Sequence, residues 1–414
     1  MHKTLTFALL TCIMLNSCST PEKKVPTVEE TPDYQTLAQD LCQRFIITDG
    51  HVDLPYKLAE EGYMAKGEIP NLSGEIDGNF DFVKAQKGGL NVPFMSIYLP
   101  AILQNSLGAS KVLADSLIDM VEQIVTTYPD HFAIAGSPAE AIQNFEKGII
   151  SLPMGMENGS ALEDDVANVK YFFDRGIRYI TLTHSKYNRI CDSSYDTNRQ
   201  WNGLSPFGKE VVKEMNAQGI MVDISHVSDS TFYQVMSMTD VPCIASHSSV
   251  RKFTPGFERN MSDDMIKLLA SKGGVIQINF GSTFLSDDSR KKHNTFTALK
   301  KTFLAENPGV TEQDSVFKVF ENNWKESNDF FADVKDAANH IDHVVNLVGI
   351  DYVGLGSDFD GVGNSLPNKL KTAADYPKLI EELLKRGYSE QDIEKICYKN
   401  VFRVWDAVLQ AAGK

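Results

Sequence analysis

Histidine and carboxylate side chains lie at or near the ends of several short apolar runs in this sequence. These residues, each with its run, are His51 and Asp53 (44–53), Glu157 (148–158), His184 (177–184), His226 (219–226), His247 (241–248), and Asp358 and Asp360 (352–361). Imidazole and carboxylate groups are the ligands that hydrolytic zinc and related divalent ions use in proteins. A single histidine in such a place is more often a core residue, but the repetition favours a metal site.

The spacing of these residues indicates how two ions could be held. His51 and Asp53 are two residues apart, so in a strand both side chains point to the same side and can chelate one ion. His226 and His247, on successive predicted strands, can hold a second ion, and Glu157 could bridge the two. Two ions that share a water lower its pKa towards ~7, which gives a hydroxide nucleophile at neutral pH. The pattern predicts a binuclear hydrolytic centre.

The apolar runs alternate with segments of helical periodicity, and this alternation predicts the fold that positions the site. Two further runs, LNVPFMSIYL (90–99) and GGVIQINF (273–280), complete a set of eight buried strands. Helical periodicity is found at 110–128, 165–176, 206–219 and 262–273, the last capped by Ser262 and Gly273. Eight strand–helix units predict an α/β fold, a TIM-like (β/α)8 barrel with its active site at the carboxyl ends of the strands. A doubly wound open sheet is the alternative.

The charge balance of the chain excludes some classes of partner. The 414 residues include 40 Lys and Arg against 55 Asp and Glu, a formal charge of −15. A polyanion such as nucleic acid would be repelled by that field, so we expect no nucleic-acid partner. Beyond the N-terminus, no segment has the ~20 consecutive apolar residues that a membrane span needs.

The N-terminal residues indicate an export signal. Residues 1–17 carry a weak positive start and a short apolar run, and Leu15-Asn16-Ser17-Cys18 has the form of a lipobox. We expect cleavage before Cys18, lipidation of Cys18, and a flexible tether over residues 18–40. This predicts a protein of the bacterial cell envelope, lipid-anchored to a membrane and facing either the periplasm or the surface. An ordinary secretory signal is the alternative.

The remaining residues, 41–414, form the predicted barrel domain, with a helical insertion at about 282–332. Its cysteines are Cys42, Cys191, Cys243 and Cys397, and no pair has the CxxC spacing of a redox or zinc-thiolate motif. An oxidising compartment allows one or two disulfides among them, which the sequence cannot pair, and buried free thiols are an equal alternative.

The motifs DGHVDLP, GMENG, LTHSKYN, DISH, ASHSS and GSDFDG occur in this order. In that order they resemble the signature of the membrane (renal) dipeptidase family, over roughly residues 42–410. The resemblance implies a TIM-like barrel that hydrolyses dipeptides with two Zn²⁺ per chain. It implies that His51, Asp53 and Glu157 bind one zinc. Glu157, His226 and His247 would bind the other.

The resemblance also implies roles on the substrate side of the site. His184 would hold the oxygen of the tetrahedral intermediate, Arg259 would pair with the free carboxylate of the substrate, and Asp358 would shuttle the proton. The partners are then small dipeptides and, through the lipid anchor, a membrane; family members are often homodimers. Asp360, from its position in the same motif, is expected to be a turn residue or to support a neighbouring ligand, and not to be the catalyst.

The sequence departs from the family pattern at three places. Asn158 stands where the family commonly has a small residue, the 282–332 segment is longer than usual, and Ser185–Asn188 differ in polarity. These departures bear on the choice of substrate more than on the chemistry.

Parts of the sequence are also compatible with functions other than a dipeptidase. An amidohydrolase-type enzyme for other small amides, including β-lactams, usually bridges its metals with a carboxylated lysine on the fourth strand, where this chain has His184. A metal- or solute-binding lipoprotein without catalysis fits the anchor, but it would not need His184 and Asp358 beside the metals. The SxxK match Ser249–Lys252 lacks the accompanying motifs of a serine acyltransferase.

Overall fold

The computed structural model describes residues 1–2 and 33–414. The predicted signal peptide after residue 2, the lipidation site Cys18 and the tether up to residue 32 lie outside the described residues.

Eight parallel strands form one nearly closed sheet, which confirms the predicted TIM-like (β/α)8 fold and excludes the doubly wound alternative. In sheet order they are β1 (Ile47–Val52), β2 (Leu90–Tyr98), β5 (Met154–Glu157), β6 (Ile177–Thr181), β7 (Met221–Asp223), β8 (Ile244–Ser248), β9 (Val275–Ile278) and β10 (Val353–Leu355). Each strand lies within one of the eight predicted apolar runs. A separate parallel pair consists of β3 (Phe132–Ala133) and β4 (Ile150–Ser151).

The barrel closes through the residues that follow β10. Val52 pairs in parallel with Phe359, the amide of Asp53 donates to Phe359 O (2.8 Å), and the amide of Asp358 donates to His51 O (3.1 Å). The buried Asp49 carboxylate adds to this seam because Oδ1 accepts from the amide of Ser357 (2.8 Å). The first and last strands are thus joined beside the predicted site.

Helices follow the strands and cover the outside of the barrel. They are α1 (Tyr34–Arg44), α2 (Leu54–Glu60), α3 (Tyr63–Lys66), α4 (Phe82–Gly88), α5 (Ala109–Thr127), α6 (Pro138–Glu146), α7 (Ala167–Asp174), α8 (Pro206–Gln218), α9 (Asp229–Met238), α10 (Asp263–Ser271), α11 (Ser282–Leu285), α12 (Asp287–Glu306), α13 (Ser315–Ser327), α14 (Val334–Val348), α15 (Tyr376–Lys385), α16 (Glu390–Glu394) and α17 (Asn400–Ala411). Helix α10 begins at the predicted cap, since Ser262 Oγ accepts from the amide of Met265. Gly273 follows the helix with a φ of +77°, a conformation that glycine adopts at little cost.

The last helix, α17, covers the end of the barrel opposite the predicted site. Trp405 and Phe402 of α17 join a buried cluster with the residues that begin β7, β8 and β9, namely Met221, Ile244 and Val275. The Trp405 ring also packs on Phe94 of β2, with ring centroids 5.1 Å apart. This apolar cluster fills the end of the barrel opposite the polar side chains of the predicted site.

The 282–332 segment contains α11, α12 and α13. Helices α12 and α13 pack through aromatic side chains, with ring centroids 4.3 Å apart for Phe303 and Phe320 and 4.8 Å apart for Phe296 and Trp324. Helix α12 also brings His293 to the cleft described below.

The four cysteines of the barrel are buried and unpaired. Of the two alternatives left by the sequence, the structure has free thiols. In the part of the chain that the structure describes, no helix has both the length and the apolar character needed to cross a membrane.

The buried His340 on α14 joins that helix, as a neutral ring, to the loop after β8 and to the end of α11. Its Nδ1 accepts from the amide of Val250 (2.9 Å), and its Nε2 bonds Leu285 O (3.0 Å), so Nε2 carries the proton. Burial lowers the pKa of His340 to about 4, whereas an unfolded histidine titrates near ~6.5. Between these values the unfolded chain binds a proton that the folded chain does not.

We therefore predict that His340 stabilises the fold above pH 6.5 and loses this contribution as the pH falls towards 4. The free energies of unfolding of the natural chain and of His340→Gln, measured by urea denaturation, should differ by about 3 kcal/mol less at pH 4 than at pH 7. Titration of the other groups is common to both proteins and cancels in the difference. A difference that does not change with pH would contradict this account of His340.

Candidate metal centre and substrate cleft

The Glu157 carboxylate lies at the centre of the predicted site. It ends β5, and its Oε1 is 3.1 Å from His226 Nε2 and 3.3 Å from His247 Nε2. Its Oε2 is 3.5 Å from His51 Nε2. All four side chains are buried. One carboxylate thus faces histidines from three other strands or strand ends, as a bridging ligand would.

The structure brings all five predicted metal ligands together. Asp53 Oδ2 lies 3.4 Å from His51 Nε2. The HxD spacing predicted that Asp53 lies within the first strand. Strand β1 ends at Val52, however, so Asp53 lies at the junction with α2. Three sets of ligand atoms each lie within 4.8 Å of one another: His51, Glu157 and His247; Glu157, His184 and His226; and His51, Asp53 and Asp358. His184 and Asp358, expected on the substrate side, border the same centre.

The outer nitrogens of two histidines are held by the barrel. Ser246 Oγ donates to the Asp223 carboxylate (2.6 Å), so it accepts from Nδ1–H of His247 (2.7 Å). Nε2 of His247 therefore presents a lone pair to the centre. His51 Nδ1 is hydrogen-bonded to the Tyr179 hydroxyl (2.7 Å), which orients the His51 ring. Partners of this kind orient the histidine ligands of metal ions.

The inner atoms of the centre lack the partners that buried polar atoms need. His226 Nε2 and His247 Nε2 are 2.9 Å apart. His51 Nε2 and Asp53 Oδ1 are buried and have no hydrogen-bond partner among the described residues. Buried polar atoms without partners are rare and costly. Divalent cations would satisfy these imidazole and carboxylate donors, so the residues present fit a metal centre.

The electrostatics of the cluster keep three of the groups, Glu157, His226 and His247, in their ligand forms, whereas the pKa of His51 is held well above its ordinary value because the nearby Tyr179, Asp53 and Glu157 outweigh its burial. Burial alone would raise the pKa of Glu157, but the four histidines around it, first of all His51 and His184, hold it well below its ordinary value. Glu157 is thus a carboxylate. Burial lowers the pKa of His226 and of His247 well below the ordinary value, so both rings are neutral. Metal ions bind these forms.

Strained backbone at the strand ends aims several of these side chains. His226, Asp358 and Asn158 have φ values of +68°, +63° and +73°, in the left-handed region that non-glycine residues rarely adopt. Such conformations cluster at functional sites. Asn158 is the departure from the family pattern noted in the sequence, and asparagine tolerates this conformation better than most residues.

The Asn158 side chain also fixes the end of β5 to the neighbouring loops. Its Nδ2 donates to Leu99 O (2.9 Å), and its Oδ1 accepts from Asn188 Nδ2 (2.9 Å). Asn188 belongs to the segment after His184 whose polarity also differs from the family pattern. The two departures therefore form one hydrogen-bonded unit beside Glu157.

Asp358 follows β10 and is buried beside the cluster. Its Oδ2 accepts from Asn279 Nδ2 (2.7 Å), while the Asn279 Oδ1 accepts from the amide of Gly281 (2.7 Å). Burial and the nearby carboxylates of Asp53 and Glu157 raise the pKa of Asp358 to about 7. A carboxyl group with such a pKa can both accept and return a proton near neutral pH.

Arg259 is a buried cation without a carboxylate partner among the described residues. It is 3% exposed, its Nη1 donates to Ser248 Oγ (2.6 Å), and its Nη2 donates to His247 O (2.8 Å). Its Nε has no hydrogen-bond partner. The guanidinium charge thus lies next to the candidate metal ligands, on the side of His247. A buried charge of this kind is unfavourable unless an anion lies nearby.

A cleft of about 630 Å³ opens above the cluster. Its walls include Tyr56, Tyr98, Tyr195, Phe284 and His293. The Tyr98 ring lies edge-on to His184, with centroids 4.8 Å apart. The volume and the mixed polar and aromatic lining are typical of a small-molecule site.

Asp360, in the turn after β10 that also contains Asp358, has a structural role. Its Oδ1 accepts from the amide of Asn79 (2.8 Å), and its own amide donates to Asn79 Oδ1 (2.8 Å). This reciprocal pair joins the turn after β10 to the loop before α4, as expected for a turn residue.

Three residues of the site were not identified from the sequence. Tyr179 lies within an apolar run and is typical of a core residue. Ser246 is one of several serines in ASHSS. Asn279 gave a usable signal, because it is the polar residue near the end of the seventh apolar run, where the other runs carry predicted ligands.

Solved structures of similar fold are known. The probable dipeptidase PvdM from Pseudomonas aeruginosa is 26% identical, with 92% of this chain and 99% of that chain covered and a TM-score of 0.77. An amidohydrolase from Pseudomonas aeruginosa is 22% identical over 90% and 98% of the two chains, with a TM-score of 0.67. A metallopeptidase from Rhodobacter sphaeroides, liganded with a phosphinate mimic of the dipeptide L-Ala-D-Ala, is 21% identical over 88% and 99%, with a TM-score of 0.70.

The sequence profile of the membrane dipeptidase family, peptidase family M19, matches residues 35–414. This range contains every strand of the barrel and every residue of the metal centre described above. The expected family resemblance is thereby confirmed: the chain belongs to the membrane dipeptidase family and is a metallo-dipeptidase.

Proposed function

We propose that this enzyme hydrolyses dipeptides with two zinc ions, one held by His51, Asp53 and Glu157 and the other by Glu157, His226 and His247. The observation that carries the proposal is the convergence of three histidines on the single buried carboxylate of Glu157. Zinc bound there would lower the pKa of water to supply a hydroxide nucleophile near neutral pH and would polarise the scissile carbonyl.

The substrate carboxylate would bind on the Arg259 side of the centre. Arg259 is a buried guanidinium with no carboxylate partner among the described residues, and its Nε is without an acceptor. A C-terminal carboxylate would compensate this charge and limit the substrates to short peptides with a free carboxyl group. The Rhodobacter sphaeroides metallopeptidase, which has a similar fold, is liganded with a phosphinate mimic of the dipeptide L-Ala-D-Ala.

His184 and Asp358 would act on the reacting atoms. His184 borders the cleft with its Nε2 3.7 Å from Glu157 Oε1, where it can support the developing negative charge on the carbonyl oxygen. Asp358 lines the same cleft and is held by Asn279. It would accept the proton of the attacking water and return it to the leaving amine.

The test of this function is metal removal and return. Enzyme dialysed against a chelator should lose activity on L-Ala-L-Ala and L-Ala-D-Ala and regain it as zinc is added, up to two ions per chain. Bound zinc, measured by atomic emission, should rise in parallel with kcat. Full activity in metal-free enzyme would contradict the proposal.

The variant Glu157→Gln separates a bridging ligand from a nearby residue. It keeps the side-chain shape but removes the charge shared by both sites, so bound zinc should fall well below two ions per chain. Two tightly bound zinc ions in this variant would overturn the bridging role.

Asp358→Asn tests proton transfer. The amide retains size but cannot accept the proton, so we expect kcat to fall by about 10²–10⁴ with KM little changed and zinc content retained. Asp360→Asn alters a carboxylate of the same turn and cleft, and its effect on kcat should be much smaller. Loss of zinc from Asp358→Asn would instead indicate that Asp358 orients a ligand.

We also propose that the enzyme is anchored to a membrane of the cell envelope through lipid on Cys18, which lies outside the described residues. Cys18→Ser should give unlipidated protein that leaves the membrane fraction and hydrolyses dipeptides at an unchanged rate. Cys12→Ser, within the predicted signal peptide, is the matched control and should still take up labelled palmitate. Palmitate labelling of Cys18→Ser would contradict the anchor.

A further inference from the structure

The cleft contains one carboxylate that neither the metal centre nor the proposed reaction uses. The other four that line it are Asp53, Glu157, Asp358 and Asp360, each with a part described above. Glu60, the last residue of α2, is exposed and has no ion pair or hydrogen bond to any described residue. Its negative charge therefore faces the cleft without a counter-ion from the described chain.

The nearest basic residue on the same helix is already occupied. Lys57 Nζ lies 2.7 Å from Glu61 Oε1, in an i, i+4 pair on α2. Glu60 and Glu61 are thus adjacent carboxylates with different surroundings. Glu61 is neutralised by Lys57, whereas Glu60 lines the cleft.

The position of Glu60 is fixed relative to the metal ligands. Helix α2 follows directly on Asp53, and seven residues of helix span about 10 Å. Glu60 is one turn after Tyr56 and so lies on the same helix face. The Tyr56 ring stands edge-on to Tyr98, with centroids 4.8 Å apart, and Tyr98 stands edge-on to His184 at the same distance. An aromatic wall therefore runs from the centre to Glu60.

This distance decides which part of a dipeptide could reach Glu60. The α-amino group lies only two bonds from the scissile carbonyl carbon, about 2.5 Å away, and cannot span the gap. An extended lysine side chain places its ammonium about 6 Å from its Cα, and the glutamate side chain covers the rest. Aromatic rings accept both the aliphatic stem and the cationic end of such a side chain.

We propose that Glu60 selects dipeptides that carry a cationic side chain, such as lysine, ornithine or arginine, by pairing with the charged end of that side chain along the Tyr56–Tyr98 wall. The inference rests on the proposed dipeptidase function and adds the substrate class. His293, the basic side chain that lines the cleft outside the centre, does not oppose it, because burial and the nearby Lys300 lower its pKa and keep the ring neutral.

The test compares zinc-loaded enzyme on matched substrates: Lys-Ala against norleucyl-Ala, and Ala-Lys against Ala-norleucine. Norleucine keeps the stem of lysine and lacks its ammonium. The natural enzyme should have a higher kcat/KM for the lysine dipeptide of at least one pair. Glu60→Gln should reduce that ratio about two- to fivefold, which is the upper part of the range for an exposed ion pair. High salt should reduce the ratio in the natural enzyme but not in the variant.

Two further variants separate charge from fold. Glu61→Gln removes the neighbouring carboxylate, which is paired with Lys57, and should leave the ratio as it is in the natural enzyme. Glu60→Lys should reverse the preference towards Glu-Ala or Ala-Glu. Equal kcat/KM for lysine and norleucine in both pairs would overturn the role of Glu60 and leave the dipeptidase function standing. Failure to cleave any dipeptide would instead overturn the proposed function.

Discussion

A single carboxylate, buried at one end of a barrel and surrounded by imidazoles, is the interaction on which the rest of the site depends. Glu157 is kept ionised where water is largely excluded, and an isolated charge in such a place is very unfavourable. His226 and His247 are held neutral by their own burial and supply lone pairs, whereas the pKa of His51 is well above its ordinary value because the nearby Tyr179, Asp53 and Glu157 outweigh its burial. A bound cation would take over the compensation of Glu157 from that ring, and the geometry of the strand ends determines which side chains could hold it.

The orientation of the histidine rings depends on buried groups that do not line the cleft. The Ser246–Asp223 pair fixes the His247 ring, and Tyr179 fixes the His51 ring. Tyr179 fits inside the barrel because the adjacent strand carries Gly155, where a Cβ atom would overlap its ring. The apolar cluster around Trp405 and the polar side chains of the site are therefore parts of one packed interior. The orientation of His51, a proposed metal ligand, depends through Tyr179 on Gly155.

Much of this arrangement follows from the sequence, because strands buried on both faces are continuous apolar runs and their ends are abrupt. The proposed metal ligands lie at those ends, so even one sequence indicates that Glu157 and His247 meet, although they are ninety residues apart. The supporting residues are harder to find. Tyr179 has the pattern of a core residue, and its hydrogen bond to His51 depends on a pairing between distant strands. The left-handed backbone at His226 and Asp358 has no sequence signal, because neither residue is glycine.

The seam of the barrel gives this centre an unusual dependence on the two ends of the domain. Asp53 and Asp358 are held in place by the same hydrogen bonds that join the first strand to the residues after the last, about three hundred positions apart. During synthesis the ribosome must therefore release almost the whole barrel before the two halves of the centre can meet. A chain still being made, or one cut short before Phe359, carries most of the ligands but lacks the seam that brings Asp358 to His51 and Asp53. The complete centre therefore forms only after the barrel has closed, so its assembly is a late step in the folding of the domain.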